Sequence, residues 1–564
     1  MCPPLSRRMM LASIPLGVLA GTAACSGQGG AKPAGQGSGA SKATNDGVIA
    51  LASGGPTYPK NFNWYGANQN GTAPGLNLVY ESPFALDYTK PGHFTPMLCE
   101  SYEMEDEGAT MVFHLRKGVK WSDGTEMTAD DFVYTFGFVN GEACPDEEKC
   151  WAKKPPEATD KYTCKVFFNS PQFQQMASYA MYYPIIPAHI WKDRDRKTDT
   201  NENPVGTGPF TVESFDPQLV TYKLRDDYWG GKGEGVKKVK YMPMGPIGGV
   251  QSQLDRGDLD IAEGQAPGIK KDFVDKNPEL NHFTTYPSGG SQLITFNCLK
   301  APFDDVAVRR ALRDSLDLAA ASELAATGYT IPSVVGLDPK VYADTLLPEY
   351  KEPLTADVEG AKKSLADAGW TVEGGNLTKG GKSHPISLVL DNGNQVWMQL
   401  GQVLIDQWMK NLGVKVAWQP TPTQVFNDKA VLGEYAMFAA GGVSSGNYYQ
   451  AYAQYSKGNY QPLGTKENVW GNYGRWQNKA MQENVSNMSN FRSDDAEGLK
   501  PLIEAMQKAV AEDAPFIATM TNVQGVLWSS RKWTGFPDPG TTAYLPGISG
   551  VNHAILTLLK LKPA

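Results

Sequence analysis

The chain has 564 residues, 41% hydrophobic and 20% charged. That is too much apolar side chain for a mostly disordered protein and too long a chain for one core, so roughly three to four structural units are expected. With 52 basic and 60 acidic residues, a formal net charge of −8, there is no basic excess of the kind that broad nucleic-acid or anionic-membrane binding needs.

Residues 1–24 read as a targeting segment. Arg7 and Arg8 give a basic start, Met9 to Ala20 an apolar run too short to span a bilayer, and Thr22-Ala23-Ala24 small residues before Cys25. "SRRMML" from Ser6 to Leu11 also resembles a twin-arginine signal, with Met10 where the usual pattern has Phe, so the general secretory and twin-arginine routes both stay open. Ala23-Ala24-Cys25-Ser26-Gly27 resembles a lipoprotein lipobox, with Thr22 in place of the usual aliphatic residue, which implies lipidation of Cys25. Residues 25–46, rich in Gly, Ser and Ala, cannot bury a core and suit a flexible tether. An extracytoplasmic protein held at the outer face of the bacterial cell membrane is the expectation.

Beyond residue 46 short apolar runs, turn signals and amphipathic stretches alternate in a mixed α/β pattern without a fixed repeat. "MVFHLRKGVKW" from Met111 predicts a strand, Ser122-Asp123-Gly124 a turn, and Thr128 to Val139 a helix capped by Thr128, with Asp130 and Asp131 in its first turn. Helices are also predicted over Asp304 to Ala325, Val358 to Trp370 and Gln399 to Gly413, the last followed by a strand in "VKVAWQP". "NLTKGGKS" from Asn376 to Ser383 ends like a P-loop, but Asn stands where its first glycine belongs and no strand precedes it, so it reads as a turn.

Cys99, Cys144, Cys150, Cys164 and Cys298 are an odd set in an exported body. A bridge could close the "CPDEEKC" loop from Cys144 to Cys150, and the pairing is left open. The six histidines are scattered, with no HExxH or GxSxG pattern and no CxxC pair. No metal, no cofactor and no enzyme activity are expected.

"FHLRKGVKWSDGTEMTADDFVYTF" from Phe113 to Phe136 is similar to the most distinctive stretch of the extracellular solute-binding proteins of family 5, the oligopeptide, dipeptide and nickel type of ABC importer receptor. "NLVYESPF" from Asn77, "PVGTGPF" from Pro204, "LRDDYWGG" from Leu224, "LDRGDLDIA" from Leu254, "APFDDVAVRRAL" from Ala301, "AKKSLADAGW" from Ala361 and "AVAEDAPFIA" from Ala509 follow in that family's order. The resemblance implies an α/β, two-lobed periplasmic-binding-protein (Venus-flytrap) fold of type II, with an extra subdomain inserted in lobe I. It places lobe I at 47–80, 204–293 and 524–564, the subdomain at 81–203 and lobe II at 294–523. The chain is expected to cross between lobes near Gln292 to Asn297 and Asn522 to Gly525, with hinge closure as the motion. The implied partners are a peptide or oligosaccharide ligand and ABC permease subunits, with ATPase subunits reached indirectly. A monomer that binds no nucleic acid is expected.

Peptide receptors of the family carry an aspartate for the ligand ammonium in a stretch that corresponds here to "YAMFAAGGVSSGNYY" from Tyr435 to Tyr449. Ser444 falls at that acid, with Ser445 beside it and Gly441 where a tryptophan often sits. A buried ammonium without a counter-charge is costly, so Asp391 becomes a candidate substitute. Trp64, Tyr65, Asn68, Asn70, Asn392, Asn394, Trp397, Trp470, Asn472, Tyr473 and Trp476 supply the rings and amides that a neutral oligosaccharide would use. An oligopeptide leads as the expected ligand, because it is the commonest cargo the resemblance implies. An oligosaccharide is the alternative. Nickel, haem or a hydrolytic activity has no residue cluster behind it, and Tyr228 and Trp229 are expected to pack.

Overall fold

A computed structural model describes residues 45–564, apart from positions 56, 67–71, 88–89, 91, 143–153, 246, 265–267, 327–329, 442–446, 467–470 and 539–551. The predicted targeting segment, Cys25, and the loop of Cys144 and Cys150 therefore lie outside the described residues.

Ten strands form the main sheet: β1 Val48–Ser53, β2 Phe210–Asp216, β3 Leu219–Leu224, β4 Lys238–Pro243, β5 Ile261–Glu263, β6 Asn281–Phe296, β7 Ile386–Asp391, β8 Val416–Thr421, β9 Met437–Gly441 and β10 Phe516–Ser529. Their order is β8-β7-β9-β6-β10-β5-β1-β4-β3-β2. The long antiparallel pair β6 and β10 belongs to both halves. Asn281 to Pro287 pairs with Val523 to Ser529 beside β5, and Ser291 to Thr295 pairs with Phe516 to Thr521 beside β9, with a register shift between Pro287 and Ser291. A second shift, between Gln292 and Leu293, falls at the start of the stretch in which the sequence places the first crossing.

Each half has its own core, as apolar strand faces covered by helices require. On one side Ile49, Leu51, Val239, Tyr241 and Ile261 pack with Ile555 and Leu558 of the helix His553–Leu558. On the other, Ile294, Leu388, Leu390 and Met437 pack against Leu400, Leu404 and Trp408 of the helix Gln395–Leu412. Between β1 and β2 in sequence a four-stranded antiparallel sheet, Cys99–Glu105, Thr110–Leu115, Thr163–Phe167 and Glu157–Asp160, packs with the helix Ala129–Glu142 around Phe113, Phe132, Phe136 and Tyr179. Cys99 and Cys164 are buried free thiols in this subdomain, and Cys298 is also free.

The sequence motifs meet as a structural lock. The Arg225 guanidinium donates to the carbonyls of Gly206, Thr207 and Gly208 and, across to the subdomain, of Lys120 and Trp121. Glu81 is buried, which raises its carboxyl above the usual range, and it accepts from Tyr228 Oη at 2.7 Å and Trp229 Nε1 at 3.1 Å. Both rings thus serve packing and this buried acid. A Cβ on Gly206 would sit 1.9 Å from the carbonyl oxygen of Val79, so that position needs glycine for close backbone approach.

Local chemistry accounts for most predicted elements. Asp131 Oδ2 accepts from the Thr128 backbone N–H at 2.9 Å and fixes the start of the helix Ala129–Glu142. "NLTKGGKS" is a hairpin, Asn376–Lys379 against Lys382–His384, turning on Gly380 and Gly381 at φ 61° and 75°. The stretch predicted as one helix from Asp304 is two, Val306–Asp314 and Leu318–Ala326. Asp317 causes the break, because its side chain accepts from the Ala320 N–H at 2.9 Å and opens a new helix.

Candidate ligand-binding crevice

Strands β7 and β9 run parallel and finish at Asp391 and Gly441. The carboxyl ends of parallel strands are where open α/β sheets present ligand-facing loops. From Asp391 the chain turns through Asn392 and Gly393 into the helix Gln395–Leu412, whose N-cap is Asn394: its Oδ1 accepts from the Trp397 N–H at 3.1 Å. Trp397 Nε1 donates to Gln292 Oε1, and Gln292 pairs with Gly441 across β6 and β9. Asp391, Asn394, Trp397 and Gly441 are therefore brought to one edge of lobe II, just beyond the register break between the lobes. Asp391 Oδ1 is already used by the Gly393 N–H at 2.9 Å and Thr423 Oγ1 at 2.8 Å, while Asn392 is exposed.

Other candidates are spent within the protein. Tyr65 is an internal strut between lobe I and the subdomain: its Oη donates to the Pro184 carbonyl at 2.6 Å and its ring meets Phe138 edge-on at 4.9 Å. Trp64 is half-buried against the lobe I core. Asn472 gives both ends of its amide to Trp476, donating to its carbonyl and accepting from its N–H. Trp476 is only 3% exposed, and its Nε1 donates to Asp513 Oδ2 at 2.9 Å. Tyr473 packs edge-on against Phe438, and its carbonyl accepts from Tyr435 Oη. Asn68, Asn70, Ser444, Ser445 and Trp470 lie outside the described residues.

Crevices among the described residues include a smaller and a larger one. The smaller has space for about one water and is lined mainly by Leu293, Val335, Ala451, Tyr452, Tyr455 and Phe516, and the buried Ser291 hydroxyl beside them has no hydrogen-bond partner among the described residues. The larger lies between Ser170, Pro171 and Gln172 of the subdomain and Tyr449, Ser456, Lys457, Gln482, Val485, Ser486, Ser489 and Asn490 of lobe II. Among the described residues its lining is hydroxyls and amides with Pro171, Val485, one tyrosine and one cation, and no carboxylate. Sequence reasoning missed both Gln292 and this lining. The available signal was "NVSNMSN" from Asn484 to Asn490, a neutral polar run with Val485 and Met488 at helical spacing. Among the described residues no three His, Cys, Asp or Glu side chains form a group that could hold a metal ion, and no helix is long and apolar enough to cross a membrane.

A sheet whose central strand pair passes through two cores, with a polar crevice between the subdomain and lobe II, is the architecture of a two-lobed binding fold. The model of the bacterial extracellular solute-binding proteins, family 5, matches residues 93–462, and the chain belongs to that family. The periplasmic oligopeptide-binding protein OppA of Escherichia coli is 26% identical over 62% of this chain and 67% of its own length. Alignments to such curated relatives span about two thirds of their length. A periplasmic oligopeptide-binding protein of an ABC transporter from Thermotoga maritima superposes with a TM-score of 0.79, at 22% identity, over 93% of this chain and all of that one. A mannohexaose-bound structure of that protein gives 0.75 at 23% identity, over 92% and 99%. The fold implied by the sequence resemblance, a two-lobed type II periplasmic-binding-protein fold, is the fold of this chain.

Proposed function

We propose that this protein is the substrate-binding lipoprotein of an ABC importer, which captures an extended solute between its lobes and hands it unchanged to membrane permease subunits. The observation that carries the reading is the crevice lined from two sides, by Ser170 to Gln172 on the subdomain and by Tyr449, Gln482 and Ser489 on lobe II, in a chain of this family. A ligand lying there touches both halves at once and is the natural glue for closure. Cys25 is the proposed lipid attachment site, residues 25–46 the tether, and the monomer the working form. The lobe boundaries proposed are those expected from the sequence, with the first crossing at Gln292 to Asn297, where one of the two register shifts of the long strand pair also falls.

An oligopeptide is the leading solute. The curated relatives matching the chain include oligopeptide-, dipeptide- and murein peptide-binding proteins, and Lys457 offers a cation to a peptide carboxylate. An oligosaccharide is the second reading, favoured by a crevice lining without a carboxylate, by Ser444 in place of the family acid, and by the mannohexaose-bound neighbour. Proposed contacts are Asp391, Asn392, Asn394, Trp397, Gly441, Ser444, Ser445 and Trp470 with the crevice residues, and Asn68 and Asn70 from lobe I.

A thermal-shift panel of peptides against cello-, xylo- and chito-oligosaccharides tests this. A ligand present at a hundred times its dissociation constant stabilises by about 2.7 kcal/mol. Shifts with peptides alone support the first reading, shifts with glycans alone replace it with the second, and a ligand recovered chemically altered contradicts both.

A further inference from the structure

Where the inserted subdomain meets lobe II, one side chain holds the seam. Gln174 lies in the loop before the subdomain helix Met176–Tyr182 and is only 1% exposed. Its Nε2 donates to the Phe491 carbonyl at 2.7 Å, its Oε1 accepts from Ser493 Oγ at 3.2 Å, and its carbonyl accepts from Asn447 Nδ2 at 3.1 Å. Beside it the Phe173 N–H donates to the Ser489 carbonyl at 3.1 Å. All of these partners belong to lobe II.

Each side of the seam is fixed on its own element. On the subdomain the Gln172 N–H donates to Gly108 O at 2.9 Å, and the Phe173 ring lies over Gly108, where a Cβ would come within 2.4 Å of it. On lobe II the Phe491 ring covers Gly498, where a Cβ would come within 2.3 Å, and Asp495 caps the helix Ala496–Asp513 through the Gly498 N–H. Asn447 uses Oδ1 to cap its own helix at the Gln450 N–H, 2.9 Å away, which leaves Nδ2 free to reach across. Two separately anchored loops thus meet through an amide that donates one way and accepts the other. Opening the lobes breaks these bonds together and returns their groups to water, so they bias the closed state without locking it.

We infer that Gln174 is an interlobe positioning residue, a clasp that holds the subdomain on lobe II before any solute arrives and so sets the fraction of receptor closed without ligand. This rests on the two-lobed fold alone and is independent of which solute fills the crevice.

Small-angle X-ray scattering of the ligand-free protein tests it. The wild type is expected to be compact. Gln174→Ala should lower the closed-to-open ratio at least tenfold, raising the radius of gyration while the unfolding midpoint stays near that of the wild type, and Ser493→Ala should move the same way by less. An open wild type, or identical scattering from wild type and Gln174→Ala, overturns the inference. If Gln174→Ala does not fold, Ser493→Ala decides alone: a larger radius supports the clasp and an unchanged one overturns it.

Discussion

Several residues that identify this family at the level of sequence act through the backbone. Gly206 has the Val79 carbonyl oxygen where its Cβ would be, and no rotamer change relieves a clash between a Cβ and main chain. Gly206→Ala should cost about 3 kcal/mol, at the upper end of overpacking penalties, read as a lower midpoint in urea unfolding. His553 gives a pH signature. Burial drives its imidazole pKa down to about 4, although Nε2–H donates to the Leu86 carbonyl at 2.9 Å. The unfolded chain takes up a proton near pH 6.5 that the folded protein refuses until about pH 4, so stability rises with pH across that window. Acidification through it should remove about 3 kcal/mol from the wild type. His553→Gln should flatten that part of the stability profile; an equal loss in the variant would assign the acid sensitivity elsewhere.

At the scale of elements, turns and helix stops were the legible part. Gly413 ends a helix at φ 73°, as its place after the apolar spacing indicated, while the caps Asp305, Asp357 and Asn394 went unnamed and the helix predicted from Gln399 begins at Gln395. Asn394→Ala should cost about 1 kcal/mol in stability, and Asn394→Asp much less, by denaturant unfolding. The same reasoning failed at Asp317, where apolar spacing continued through a residue that starts a second helix. Asp391, Asn392, Asn394 and Trp397 were picked out in the sequence for their acid, amides and ring; the strand end and the cap that bring Asp391, Asn394 and Trp397 to one edge were not. Asn472 and Trp476 show the same mixture of amide and ring but spend it on each other and on Asp513. Composition does not tell which face of a segment is turned inward. The crevice lining was hidden for the opposite reason, since neutral serines and amides on a helix such as Lys479–Met488 read as ordinary surface until the subdomain is seen to face them.

For the whole molecule, the decisive features are nonlocal. β6 and β10 are far apart in sequence, yet their pairing joins both cores, with register shifts between Pro287 and Ser291 and between Gln292 and Leu293. A chain-wide series of motifs could imply two lobes but could not show that the subdomain and lobe II share a polar crevice. If that crevice receives the solute, Ser486→Trp, which fills it from an exposed position, should weaken binding at least tenfold by calorimetry without lowering the ligand-free unfolding midpoint. Unchanged affinity would move the site to the edge at Asp391 and Trp397. The most direct test of capture without turnover is native mass spectrometry of the protein after incubation with mixed peptide and oligosaccharide libraries. The expected result is one retained solute per chain, released on denaturation with its mass unchanged; no retained solute from either library, or one released with an altered mass, would contradict it.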